Sequence, residues 1–187
     1  MIEIGAVIDD LENPKPLDEL PEFHTYVEHE TYNVDGYCLG MHSDTGIFDK
    51  LSEYGGEKSE NVVGEEQAVS DLNSFIRWEL DLEGWPGRDR GHLNVCCHNF
   101  TVFDFRFLRR AIDRHYDDEK NAGAIWDVNR IRPFDPCNFY IKPSDEKVCG
   151  TRTAMERAGI KNENLHTAVA DARDMVRLTR DHFEVTV

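Results

Sequence analysis

Asp104 is the residue that ordinary packing least explains. In the stretch His98 to Leu108, HNFTVFDFRFL, a 3.6-residue period lines up Phe100, Phe103, Phe107, Leu108, Ala111 and Ile112 as one apolar stripe. Arg106, Arg109, Arg110 and Asp113 fall on the opposite side, and Asp104 falls in the middle of the stripe. A bare carboxylate on a core-facing surface costs roughly several kcal/mol, so the spacing predicts an acid that is protonated, paired or bound to a cation. The plainer alternative is a buried Asp that caps or hydrogen-bonds a neighbouring backbone.

A second constellation opens the last helix, HTAVADARDM from His166. Its apolar line is Leu165, Ala168, Val169, Ala172, Met175, Val176 and Phe183, with Asp171 at the border of that line. A histidine just ahead of the first turn can present its ring past the helix end, while an acid five residues on points from the adjacent turn. Together they can flank one bound water or metal. The alternative is an exposed loop histidine beside a helix-face aspartate. Arg173, Arg177 and Arg180 form a row on the same helix, for which solvated ion pairing with Asp174 and Asp181 is the simpler reading than phosphate contact. His98 reads as a satisfied core histidine, and the remaining histidines have no ligand-like spacing.

The elements that must position these residues follow from periodicity. Ile2 to Ile8 reads as a strand buried on both faces, and Phe23 to Glu30 as an edge-type strand. Residues 31 to 44 read as irregular, Thr45 to Tyr54 as a short helix and Gly64 to Leu82 as an amphipathic helix. His92 to Cys97 is the next strand, running directly into the helix that carries Asp104. Ile125 to Arg132 reads as a strand, Pro133 to Val148 as irregular, and Thr151 to Gly159 and Thr167 to Phe183 as helices. Strands followed by alternating helices and strands indicate a single-sheet α/β or α+β fold, and 187 residues suit one domain, 1–187.

Composition narrows the setting. No stretch is long and apolar enough for a membrane span and the first residues lack a signal-peptide pattern, so a soluble, intracellular, cytoplasmic protein is expected. Five cysteines without a C-x-x-C pair suggest reduced core thiols rather than a structural zinc site. A net charge of −16 argues against indiscriminate nucleic-acid binding. The charge is uneven, however: residues 1–83 hold 21 acidic and 4 basic side chains, and residues 84–187 hold 16 and 17. An anionic substrate should therefore be met by the second half. The acidic half suits solubility, high salt, or mimicry of nucleic acid towards a basic partner.

Asn99 to Leu108, NFTVFDFRFL, resembles the second motif of the DEDDh 3′-to-5′ exonucleases, and His166 to Ala172, HTAVADA, resembles their third, H-x-A-x-x-D-A. Ile2 to Val7, IEIGAV, resembles the second strand of that superfamily, which includes polymerase proofreading subunits and oligoribonuclease. The resemblance implies a ribonuclease H-like mixed central sheet flanked by helices. It also implies a metal-dependent 3′-to-5′ exonuclease acting on the single-stranded 3′ end of DNA or RNA, with release of nucleoside monophosphates. Asp104 and Asp171 would be two of four carboxylate ligands to Mg²⁺ or Mn²⁺, and two such ions roughly 4 Å apart activate water and stabilise the leaving oxygen. His166 would be the general base, its ordinary pKa of about 6.5 suiting neutral pH. Asn99 and Phe103 would flank the terminal nucleotide, although helical spacing by itself favours Phe103 in the core.

One departure stands out. In the family an Asp-x-Glu strand precedes the IEIGAV strand, and Met1 falls inside that region. The first, central strand and both its acids are therefore expected to be missing, either because the start is set too late or because the metal site is half lost. The former is favoured, since removing a central strand leaves two buried edges unpaired. The latter would make the chain a catalytically inactive nuclease-like module that binds nucleic acid or protein.

Overall fold

The computed structural model describes residues 1–33, 36–43, 46–53, 61–81, 92–115, 130–161 and 167–187. The β-branched and small residues after Met1 form strand β1 (Glu3–Val7), and a Pro-rich connection with one 3-10 turn (Leu17–Glu19) returns the chain as β2 (Glu22–Glu28). Two short helices follow, α1 (Gly36–Ser43) and α2 (Ile47–Glu53), then β3 (Val62–Gly64) leads without a loop into α3 (Glu65–Glu79). Next come β4 (Leu93–Cys96), α4 (Asp104–His115), β5 (Ile131–Phe134), a 3-10 turn (Pro136–Tyr140), α5 (Thr151–Ala158) and α6 (Ala168–His182).

The chain is mixed α/β, but among the described residues its strands make two ladders rather than the single sheet expected. β1 pairs antiparallel with β2 and β2 parallel with β3, whereas β4 pairs parallel with β5. No described strand joins β1 to β4, so each has one edge without a ladder partner. β2 is thus interior in its ladder and not an edge strand. Its Tyr26 is buried with Ile47 and Val62 on one side, while Val27 enters the main core on the other.

Period-two alternation sorts these strands into two faces. Ile4 and Ala6 of β1 and Leu93 and Val95 of β4 meet one apolar cluster with Val69, Leu72 and Ile76 of α3 and Leu108, Ala111 and Ile112 of α4. Residues between them turn to α6. Gly5 lies against the backbone of Ala168 and Val169, and Cys96 Sγ lies 3.2 Å from Thr179 Oγ1. One helix therefore spans both ladders. Its lower half is tied down by a buried bidentate pair, Arg180 to Asp9 at 2.9 and 2.6 Å, with Asp9 just beyond β1. α5 closes this layer, ending in a left-handed Gly159 (φ 70°), with Ala154 and Met155 packed on Met175 and Leu178.

Several expectations shift. β1 is only partly buried apart from Ile4, and among the described residues no strand pairs with its second edge. A helix occupies Gly36–Ser43, where no periodicity announces one, and β3 is too short to show alternation. β5 lies later than the strand expected over 125–132, of which residues 125–129 fall outside the described residues, as does the turn 84–91. Pro133 is accepted in β5, whose only described neighbour is β4. No helix among the described residues is long and apolar enough to cross a membrane. Cys96, Cys97, Cys137 and Cys149 are free thiols.

Candidate functional site

The helix carrying Asp104 begins at Asp104 itself, six residues after His98, where the strand was expected to run directly into it. Between β4 and α4 the chain runs through turns that depend on Asn99, which adopts φ 56° in the left-handed region. Asn and Asp tolerate that conformation better than other side chains because their short polar groups bond locally. The Asn99 carbonyl accepts from the amides of Val102 and Phe103, each at 3.1 Å, and Phe100 accepts from Phe105 at 2.9 Å. Asp104 is therefore the first residue of α4, not the centre of a helical stripe. Phe100, Leu108, Ala111 and Ile112 are buried as expected, and Phe105 rather than Phe103 packs against them.

Phe103 and Phe107 lie outside the core, contrary to the packing expectation. They are 61% and 39% exposed and meet edge to face at 5.3 Å, forming with Val102 an apolar surface beside Asp104. Phe103 precedes the helix, and within it Phe107 lies to the side of the face that Phe105, Leu108, Ala111 and Ile112 bury.

Asp104 is exposed as a residue, yet its carboxyl is pushed above the ordinary range by partial loss of water. Its own backbone N–H and a Cys97 Sγ–H donor at 3.6 Å oppose that shift. The Cys97 thiol is itself raised far above its usual value, by burial first and the Asp104 carboxylate second, so it stays protonated as a donor. No cationic side chain is ion-paired to Asp104 among the described residues. A carboxylate at the N-terminus of a helix, partly desolvated and without an ion pair among the described residues, could hold a cation.

Asn99 is fixed from both ends by two residues at the carboxyl ends of the parallel strands. The Asn99 amide donates to Asp135 Oδ2 at 3.2 Å, and its side-chain nitrogen lies 2.9 Å from His98 Nε2. His98 Nδ1 in turn lies 2.9 Å from Asp135 Oδ2. This assigns His98 a proton on Nδ1 and leaves Asn99 Oδ1 as the acceptor not used in the network. His98 is satisfied, as expected, though half-buried rather than in the core. Asp135 was not singled out by spacing. Its signal is an Asp-Pro pair directly after a strand, the pattern of an N-cap followed by Pro at N1, and Asp135 Oδ1 indeed accepts from the Cys137 amide at 3.0 Å.

Asp171 lies exposed in the first turn of α6, its amide bonded to the carbonyl of Thr167, which caps the helix through Oγ1 to the Ala170 amide at 3.3 Å. The contact of Gly5 with Ala168 sets this turn against β1. His166 lies outside the described residues. Arg173, Arg177 and Arg180 are engaged by Glu22, Asp174 and Asp9, so the ion-pair reading of that row holds, with partners mostly from other elements. Asp181 accepts instead from the Tyr140 hydroxyl at 2.7 Å.

Among the described residues, neither Asp104 nor Asp171 belongs to a group of three close metal-ligating side chains; the group that does occur is His98, Asp135 and Cys137. Comparisons with protein-family models, with curated proteins and with solved structures find no match.

Proposed function

We propose that this chain carries the nuclease centre of a metal-dependent 3′-to-5′ exonuclease of the DEDDh type, acting in the cytoplasm on a ribonuclease H-like fold. The observation that carries the reading is the Asp104 carboxyl, exposed in the first turn of α4, partly desolvated and without an ion pair among the described residues. Asp104 and Asp171 would hold Mg²⁺ or Mn²⁺, which when bound supplies activation of water and stabilisation of the leaving oxygen. His166 would take the proton of the attacking water. Asn99, held by His98 and Asp135, keeps a carbonyl oxygen able to accept from a terminal hydroxyl. Phe103 offers an exposed ring on which a base can stack.

The test is incubation of the chain with a 3′-labelled single-stranded oligonucleotide and Mg²⁺ or Mn²⁺. Stepwise release of mononucleotides is expected. A folded chain that releases none refutes the proposal. A second reading, a catalytically inactive nucleic-acid- or protein-binding module, is favoured by the absence of Asp104 and Asp171 from any three-ligand group among the described residues. Two tight Mn²⁺ sites by calorimetry would exclude it.

A further inference from the structure

The parallel strands β4 and β5 end side by side, and the residues just beyond their carboxyl ends are His98, Asp135 and, two residues on, Cys137. Ligands of open α/β sheets are commonly met at such strand ends. One donor atom from each of the three lies within 4.8 Å of the others. Tetrahedral Zn²⁺, with bonds of about 2.0 Å to N and O and about 2.3 Å to S, sets such donors about 3.3–3.6 Å apart, so the 2.9 Å edge between His98 Nδ1 and Asp135 Oδ2 opens slightly while any longer edge, none above 4.8 Å, closes.

We propose that His98, Asp135 and Cys137 form a binding site for one Zn²⁺-class cation, separate from the Asp104 and Asp171 carboxylates. An imidazole, a carboxylate and a thiolate select Zn²⁺ over Mg²⁺, because magnesium prefers an all-oxygen shell. The backbone already supplies the outer contacts that metal ligands need. Asp135 is held by the amides of Asn99 and Cys137, and the second ring nitrogen of His98 meets the Asn99 side chain. Burial pushes the Cys137 thiol up to about 12, and a cation at the sulphur reverses that preference by stabilising the thiolate. The proton count is definite. Cys137 gives its thiol proton to solvent, while the His98 proton moves from Nδ1 to Nε2 and the Asn99 amide turns its oxygen towards it, accepting through one lone pair and keeping the other for a terminal hydroxyl. One proton therefore leaves per cation bound. Three protein ligands leave the fourth position of the tetrahedron for water.

Co²⁺ is the probe, titrated into the metal-stripped full chain and followed by absorption and by proton release. The expected result is one Co²⁺ per chain, a thiolate-to-cobalt charge-transfer band, displacement by Zn²⁺ and release of one proton. No charge-transfer band in the folded wild type overturns the proposal. So does a band that persists in Cys137→Ser. Should that fully buried position fail to fold on substitution, the half-buried ligand gives the same test: His98→Gln should weaken Co²⁺ by about 100-fold or more, and unchanged affinity is disproof. Asp104→Asn should keep the band, since a band lost there would merge the two sites.

Discussion

A Cβ placed on Gly5 would come within 2.4 Å of the carbonyl carbon of Ala168 and of the amide nitrogen of Val169, so β1 and the first turn of α6 are in backbone contact. Both clashing atoms are main chain and cannot swing aside. Gly5→Ala is therefore expected to destabilise the fold by about 1–3 kcal/mol, towards the upper end, and to displace the turn that bears Asp171. Urea denaturation measures the first effect. An unchanged midpoint would mean that α6 stands further from β1.

The lower end of the same helix depends on charge. Arg180 and Asp9 are both nearly buried and bonded through two N–H···O contacts. Asp9→Ala strands a guanidinium in the interior and should cost about 3–5 kcal/mol, far more than loss of an exposed pair such as Arg109 with Asp113. Equal losses at the two sites, read from denaturation curves, would contradict the burial assigned to Arg180.

Asp104 should show the opposite sign. Its carboxyl ionises less readily in the folded chain than in the unfolded one, chiefly through desolvation, so the folded state is penalised once pH rises above the ordinary carboxylate value of about 3.9. Asp104→Asn removes that penalty. The variant should melt at a higher temperature than wild type at pH 7, with the two converging as pH falls below about 4. Added Mg²⁺ or Mn²⁺ should then stabilise the wild type more than the variant. A variant less stable at neutral pH would show that Asp104 already has a favourable partner.

Phe103 separates a binding ring from a packing ring. Its exposure predicts that Phe103→Ala changes stability by no more than about 0.5 kcal/mol. Base stacking of about 1–3 kcal/mol predicts that the same change weakens oligonucleotide binding by about fivefold or more. A large stability loss with unaltered binding would return Phe103 to the core.

What the sequence made legible follows the strength of local signals. β1, α3, α5 and α6 are visible because their apolar spacing is long or their ends are marked, as by Gly159 after α5. The start of α4 is hidden because an asparagine, not a glycine, takes the left-handed turn at position 99, so Phe100 and Phe103 precede the helix and do not share a helical stripe with the residues inside it. Phe105 is thereby missed and Phe103 and Phe107 misplaced. Asp135 is missed for a different reason: its partners, His98 and Asn99, are more than thirty residues away and meet it only through the pairing of β4 with β5. The two separate ladders could not be foreseen from strand patterns, which do not reveal whether neighbours bond.

A role for Asp104 as ligand of a catalytic cation is tested by following a 3′-labelled single-stranded oligonucleotide with Mn²⁺ in the presence of the chain and of its Asp104→Asn and His166→Ala variants. Stepwise release of mononucleotides is expected, abolished by Asp104→Asn and slowed about 100-fold or more by His166→Ala. Equal release by the Asp104→Asn variant would show that Asp104 holds no catalytic cation.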